Sequence, residues 1–185
     1  VTAKAFHSIS LRFASLRPVI LKHLQITMNS LTVTSIQRAG CAQAFSEILS
    51  TLSIEDRTLL VNQCLELTCD SREAIRESYL SVMIYLPMIL GEEFRPLIDV
   101  TISSVIESIS HESDKVRNLA IKCIKIIIKG FLRKDPSSLV GPLVEGVFSE
   151  KQVRRLSSII LLGDLLEILN ENEDNGEPLY ETHSR

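Results

Sequence analysis

The residue types that could do chemistry are few in this chain and widely scattered. None of the four histidines has a cysteine or carboxylate at the spacing of a metal-binding helix or a nucleophile–base pair. They are His7, His23, His111 and His183. The sequence also lacks the glycine-rich phosphate loops and the serine-hydrolase turn. It therefore predicts a protein that is not an enzyme, with no catalytic residue, no bound metal and no cofactor.

The four cysteines, at positions 41, 64, 69 and 123, do not form a zinc motif, because no pair has the spacing that zinc sites use. Cys41 and Cys123 fall among apolar positions of helical segments, where a free thiol behaves as a small hydrophobic group. We therefore expect them to be structural.

Signals for secretion and membrane insertion are missing as well. The first 31 residues mix basic and polar side chains, and the longest apolar run, residues 82–90, is interrupted by Pro87. A membrane span needs about 20 apolar residues. We expect a cytoplasmic segment that contacts no membrane and, since it begins with Val instead of Met, was cut from a longer protein.

Charge is separated along the chain although the formal net charge is only −3. Residues 1–40 carry five basic residues and no acid, residues 41–112 carry four basic residues against twelve acids, and residues 113–155 carry ten against four. Separated charge of this kind creates local electrostatic potential. The last of these bands is the candidate binding region.

The basic residues of that band that are candidates for contact with a ribosome or RNA are Lys122, Lys125, Lys129, Arg133, Lys151 and Arg155. The first four recur at helical spacing on one face, where they could bind phosphates in a salt-sensitive way. The alternative is a solvated helix face that needs no partner. No aromatic residue lies between the lysines, so base stacking is not expected.

An internal repeat indicates which elements position these residues. Four segments share a short turn, an arginine and about four turns of amphipathic helix. The repeat-start arginines are Arg38, Arg76, Arg117 and Arg154, spaced 38, 41 and 37 residues apart. That period is typical of HEAT and armadillo repeats, at about 40–47 residues, and is too long for ankyrin or tetratricopeptide repeats. We expect these arginines to be architectural and to pair with acids on the turns, such as Glu73, Asp114 or Glu150.

The predicted fold is an all-α HEAT-repeat solenoid, a right-handed superhelix of about four helical hairpins. The array should occupy residues 1–170, with a partial hairpin at about 1–16 followed by hairpins at 17–52, 53–91, 93–131 and 136–170. Residues 171–185 carry five acids and lose all periodicity, so we expect an acidic disordered tail or loop. The end hairpins should expose apolar stripes that neighbouring repeats would cover.

Local signals support the hairpins. Ser53 is suited to cap a helix whose first turn carries Glu55 and Asp56, and Gly91 and Gly130 lie where helices are expected to stop. In the third hairpin, apolar residues recur at three- and four-residue steps and should form one buried stripe. They are Val116, Leu119, Ala120, Cys123, Ile124, Ile127 and Phe131.

Several strings resemble the giant HEAT-repeat translational activator family. Residues 139–169, LVGPLVEGVFSEKQVRRLSSIILLGDLLEIL, are similar to a family region in which "LP-LE-GLF" is followed by "RIR-SSV-LLGDLL". Residues 38–47, RAGCAQAFSE, and residues 76–98, RESYLSVMIYLPMILGEEFRPLI, resemble two upstream family strings. The family tryptophan before the Arg-Ile-Arg step is replaced around Lys151 and Gln152, so the chain resembles a divergent member.

The resemblance implies a non-catalytic, central scaffold segment of a protein that binds stalled ribosomes and supports activation of the initiation-factor-two kinase in amino-acid starvation. The implied partners are the ribosome, through protein or RNA, the neighbouring HEAT repeats of a longer parent chain, and indirectly the kinase. The alternative is a generic protein-binding HEAT module, such as a nuclear transport receptor or phosphatase scaffold.

Overall fold

The computed structural model describes residues 2–132 and 136–174, which are mostly helical and contain no strand. The α-helices are α1 (Thr2–Arg12), α2 (Arg17–Met28), α3 (Ser35–Leu49), α4 (Ile54–Leu67), α5 (Glu73–Leu90), α6 (Ile98–Val105), α7 (Asp114–Phe131), α8 (Ser137–Val147) and α9 (Gln152–Asp174). Short 3₁₀ segments connect some of them, at Ala14–Leu16, Gly91–Leu97 and Ile106–Ser110. The all-α HEAT-like solenoid predicted from the repeat is confirmed.

Successive helices alternate between two layers. The inner layer consists of α1, α3, α5, α7 and α9, and the outer layer of α2, α4, α6 and α8. Neighbours in the inner layer pack closely, whereas neighbours in the outer layer meet at few residues. Closer spacing on one side of a layered array curves the array toward that side, so the inner layer lines the concave surface.

Local residue chemistry explains several helix boundaries. Thr34 and Gln37 form a reciprocal capping box at the start of α3, in which Gln37 N–H donates to Thr34 Oγ1 and Thr34 N–H donates to Gln37 Oε1. Ser53 caps α4 by accepting a hydrogen bond from Asp56 N–H at 3.1 Å, as predicted. Gly91 follows α5 with φ of 53°, a conformation that favours glycine.

The predicted stop at Gly130 was wrong, because α7 continues through it to Phe131. Phe131 packs against Phe94 with a ring-centroid distance of 5.6 Å, and the following Leu132 is buried. Burial of these apolar groups favours the last helical turn by more than the roughly 1 kcal/mol that glycine costs in a helix.

The core runs between the two layers along the whole array. The predicted stripe of α7 is confirmed at five of its seven positions, where Val116, Ala120, Cys123, Ile124 and Ile127 are fully buried. The other two, Leu119 and Phe131, are half-buried. The largest fully buried side chains belong mainly to the central helices and include Phe45, Tyr79 and Phe94. Burying an aromatic or large aliphatic side chain contributes about 1.5–3 kcal/mol, so the central hairpins hold most of the hydrophobic stabilisation.

Helices α8 and α9 pack closely at Gly146. A Cβ added to this residue would lie 2.1 Å from Ser158 Oγ, far inside contact distance. An alanine at this position would therefore require the Ser158 hydroxyl to rotate away and would remain in tight contact with Ser158 Cβ, at 3.0 Å.

The two ends of the array expose large apolar side chains, as predicted for hairpins without a covering neighbour. At the first end Leu11, Phe13 and Val19 are more than half exposed, and at the last end Leu156 and Ile159 are also more than half exposed.

The predicted tail at 171–185 falls partly within the last helix and partly outside the described residues. Helix α9 continues to Asp174, four residues into that range, and residues 175–185 lie outside the structure's described part. Within residues 2–132 and 136–174, no helix combines the length and apolarity that crossing a bilayer requires.

Candidate interaction surface

One arginine near the start of each of the helices α3, α5, α7 and α9 holds the turn that precedes that helix. In each hairpin its side chain donates to a backbone carbonyl five or six residues earlier. The contacts join Arg38 to Val33 O, Arg76 to Asp70 O, Arg117 to His111 O and Arg155 to Ser149 O. These charge-assisted bonds satisfy turn carbonyls and fix the angle at which the chain enters each of these four helices.

In the fourth repeat the arginine that contacts the turn lies one residue later than the repeat-start arginine named from the sequence, Arg154. Arg155, and not Arg154, donates to the turn carbonyls of Ser149 and Glu150, at 2.7 and 2.8 Å. Arg154 instead pairs with Glu107 of the preceding hairpin, at 3.0 Å. One residue is about 100° of rotation around a helix, so the two adjacent side chains point in different directions.

The predicted acidic partners of the arginines have mixed roles. Asp114 forms an ion pair with Arg117. Glu73 instead accepts a hydrogen bond from Ser113 Oγ, and Glu150 contributes its backbone carbonyl to Arg155.

A buried ion pair joins two inner helices on the concave surface. Arg38 Nη2 of α3 donates to Glu77 Oε2 of α5 at 3.0 Å, and both side chains are less than 10% exposed. Lys115 of α7 approaches the same carboxylate, with its Nζ 3.9 Å from Glu77 Oε1. One carboxylate thus lies between two cations from the helices on either side of it.

Sequence reasoning missed Glu77 and Lys115. Arg38 and Glu77 are 39 residues apart, close to one repeat period, and Lys125 and Asp164 have the same separation. Oppositely charged residues one period apart on consecutive inner helices are the signal that could have identified both pairs.

The predicted basic face is only partly available to a partner. Lys125 Nζ lies 2.9 Å from Asp164 Oδ2 of α9, although this contact lacks the geometry of a hydrogen bond. That proximity offsets the Lys125 charge. Lys122 and Lys129 are exposed, and neither pairs with any residue within the described part of the chain.

The remaining candidates of the basic face lie elsewhere. Lys151 is exposed in the turn before α9, while Arg155 is half-buried and committed to the turn carbonyls. Arg133 lies outside the described residues. The structure therefore places Lys122 and Lys129 together on α7, in the third hairpin, and Lys151 in the turn between α8 and α9 of the fourth hairpin.

A pocket of about 380 Å³ opens between α3, α5 and α7 on the concave surface. Its charged lining consists of Arg38, Glu77, Lys115 and Lys122, and its apolar lining includes Ala39 and Leu119. Three cations against one carboxylate make it net positive. A volume of this order is within the usual range for ligand-binding clefts, about 300–1,000 Å³.

The four cysteines are free thiols in environments that differ in burial. Burial raises the pKa of both the Cys64 and Cys123 thiols to about 12, and all four cysteines are free. Cys123 Sγ lies 3.4 Å from Met83 O within the core. Residues 2–132 and 136–174 contain no cluster of three His, Cys, Asp or Glu side chains placed to hold a metal ion.

Comparison with known proteins relates the chain to large regulators of translation. It is 31% identical over 154 residues to the eIF-2-alpha kinase activator GCN1 of Dictyostelium discoideum, covering 83% of this chain. It is 31% identical over 129 residues to the Saccharomyces cerevisiae protein of the same name, covering 70% of this chain. It is 28% identical over 135 residues to the human stalled ribosome sensor GCN1, covering 72% of this chain.

The chain spans only about 5–6% of the length of these relatives. The names of the relatives describe activators and a sensor, not enzymes. No protein-family model matches the chain. Identities near 30% over most of its length nevertheless show that this chain belongs to the GCN1 family, as a divergent segment.

Proposed function

We propose that this segment is a non-catalytic scaffold within a translational activator that associates with stalled ribosomes and supports activation of the eIF-2-alpha kinase. The observation that carries the proposal is the relation to GCN1 proteins over 83% of the chain. A HEAT solenoid suits this role, because its stacked hairpins form a long curved surface without a catalytic centre. Such work takes place in the cytoplasm, where the relevant ribosomes and kinase are found.

The relatives favour this function over a nuclear transport receptor or phosphatase scaffold, since their names refer to kinase activation and ribosome sensing. The kinase is an indirect partner of this segment in the proposed function. The direct partners are the ribosome and the neighbouring repeats of a longer parent chain, which would cover apolar residues such as Leu156 and Ile159 at the end of the array.

The ribosome contact is assigned to the exposed lysines of the third and fourth hairpins, namely Lys122, Lys129 and Lys151. Exposed, unpaired lysines gain most from nearby phosphates because they lose no existing ion pair. Lys125 and Arg155 contribute less, since each already has a partner within the fold.

Co-sedimentation with purified ribosomes across a salt series tests this function. The natural chain should bind at low salt, and binding should fall steeply as salt rises, because phosphate contacts release counterions. The double variant K122E/K129E should weaken the affinity for ribosomes at least about tenfold, the effect expected when about 1.4 kcal/mol of contact free energy is lost.

The matched control is K4E/K22E, which changes the charge equally at two exposed lysines near the other end of the array. This variant should bind ribosomes almost as well as the natural chain. Equal loss in both variants would indicate a diffuse charge effect, and no binding at low salt would overturn the proposed contact.

A further inference from the structure

The concave pocket differs chemically from the exposed lysine face beside it. Its floor is the buried Arg38–Glu77 pair, and its rim carries Lys115 and Lys122. Lys115 is 69% exposed and lies at the outer limit of ion pairing with Glu77, while Lys122 pairs with no described residue. The charged lining therefore carries a net charge of +2, because three cations face one carboxylate and the Lys115 contact with that carboxylate is long.

The other lining groups favour hydrogen bonding and aliphatic contact. Asn118 is exposed at the rim, and its side-chain amide makes no hydrogen bond with any described residue. Ala39 and Leu119 add an apolar wall, and no aromatic side chain lines the pocket. Without an aromatic ring, a nucleic-acid base that entered would find no stacking platform.

We infer that this pocket binds an acidic peptide segment of a protein partner, with a carboxylate held between Lys115 and Lys122. Charge complementarity carries the argument, because three cations face a single carboxylate that Arg38 already engages. The apolar wall suits the aliphatic stem of a peptide side chain better than a ribose-phosphate backbone. The concave surface of a solenoid is also where an extended peptide can lie across several helices.

The pocket opens across the first halves of α3, α5 and α7, so a bound peptide would bridge three consecutive repeats. In an extended strand every second side chain points the same way, at a spacing of about 6.5–7 Å. A peptide in which carboxylates alternate with aliphatic residues would therefore direct its acids toward the lysine rim on one side.

Fluorescence polarisation with the full chain tests the inference. The probe is a short labelled peptide in which glutamate alternates with leucine and serine, and its control replaces every glutamate with glutamine. The natural chain should bind the acidic peptide at least about tenfold more tightly than the glutamine peptide, a difference of about 1.4 kcal/mol. Equal binding of the two peptides would overturn the inference.

Two substitutions on α7 separate the pocket from the neighbouring lysine face. K122E lies in the pocket and K129E lies outside it, yet both replace by glutamate an exposed lysine that pairs with no residue in the described ranges. Peptide affinity should fall about tenfold in K122E and less than about threefold in K129E, since charge repulsion weakens steeply with distance in salt. Equal losses in the two variants would contradict a pocket site.

A third variant fills the pocket without changing its charge. Ala39 is half-buried in the wall, so A39F should weaken binding of the acidic peptide at least about tenfold although it leaves every charge in place. Circular dichroism should show that A39F keeps its helices. If A39F loses them, K122E, at an exposed position, still tests whether the pocket binds the peptide. An RNA duplex that competes fully with the peptide would overturn the inference in favour of a nucleic-acid site.

This inference does not depend on the proposed ribosome contact. Ribosome sedimentation measures the combined effect of replacing Lys122 and Lys129, whereas the peptide assay compares the two replacements separately. Either proposal can therefore fail while the other stands.

Discussion

The α3–α5 contact and the α7–α9 contact each contain an ion pair between residues 39 positions apart, in two different environments. Arg38 and Glu77 are 3.0 Å apart, and Lys125 and Asp164 are 2.9 Å apart. In the first pair both side chains are less than 10% exposed, whereas in the second they are 39% and 24% exposed. The two pairs therefore have nearly equal N–O distances but very different degrees of desolvation.

The difference arises from position along the array. Helices α3 and α5 lie among hairpins that cover them on both sides, so their side chains are enclosed. Helix α9 has no later hairpin within the described residues, and Leu156, Ile159 and Ile160 are each more than half exposed. In a repeat protein, stability is approximately the sum of repeat and interface contributions, so the end hairpin should be the weaker one.

The largest expected effect is a cavity in the enclosed region. Phe45 of α3 is fully buried, and Phe45→Ala should lower the free energy of unfolding by about 3–5 kcal/mol. Ile159→Ala at the exposed end should change it by less than about 0.5 kcal/mol. Chemical denaturation followed by circular dichroism measures both, and similar losses in the two variants would contradict the difference between the regions.

A smaller effect is expected from the two ion pairs. Glu77→Ala leaves the Arg38 guanidinium buried without its carboxylate, which should cost about 3 kcal/mol. Asp164→Ala removes the partner of a partly solvated lysine and should cost at most about 1 kcal/mol. The same denaturation experiment compares the pair, and Glu77→Gln is the control that keeps the side-chain shape. Equal costs for the two alanine variants would show that burial does not govern these contacts.

The smallest perturbation is chemical labelling of the cysteines, which requires no amino-acid substitution. Cys64 of α4 and Cys123 of α7 are both buried with a pKa of about 12, so at pH 8 only about one thiol in ten thousand is ionised. Ionisation rises as the pH increases toward 12, and labelling otherwise requires local opening. Iodoacetamide should therefore modify the exposed Cys69 first.

The two buried thiols then report on the two regions. Cys123 lies on α7, which packs against α9 of the last hairpin, whereas Cys64 lies on α4 in the second hairpin. If opening of the last hairpin also uncovers α7, Cys123 should react at least about threefold faster than Cys64, as peptide mass spectrometry over time can measure. Faster labelling of Cys64 would reverse the proposed order of stability.

Much of the architecture was predictable from local patterns. The repeat period indicated the solenoid, the apolar spacing in α7 identified its buried stripe, and Ser53 and Gly91 marked helix boundaries correctly. These features depend on residues within one or two helical turns, where sequence spacing and spatial distance correspond closely.

The candidate surface was less predictable, because its properties depend on residues about one repeat apart. The sequence grouped Lys122, Lys125 and Lys129 correctly on one face, yet only the structure shows that Asp164 lies against Lys125. The sequence likewise named Arg154 as the repeat-start arginine of the fourth repeat, although the contact with the turn carbonyls is made by Arg155.

By itself, the sequence determined the helical repeat, the separation of charge along the chain and the lysines that face away from the core. The tertiary structure decided which of those charges remain available, since ion pairing and burial depend on the neighbouring helix. It also created the pocket from residues of α3, α5 and α7, which approach one another only when three hairpins stack. The physical reason is that helical periodicity is local, whereas desolvation and electrostatic pairing are properties of the packed array.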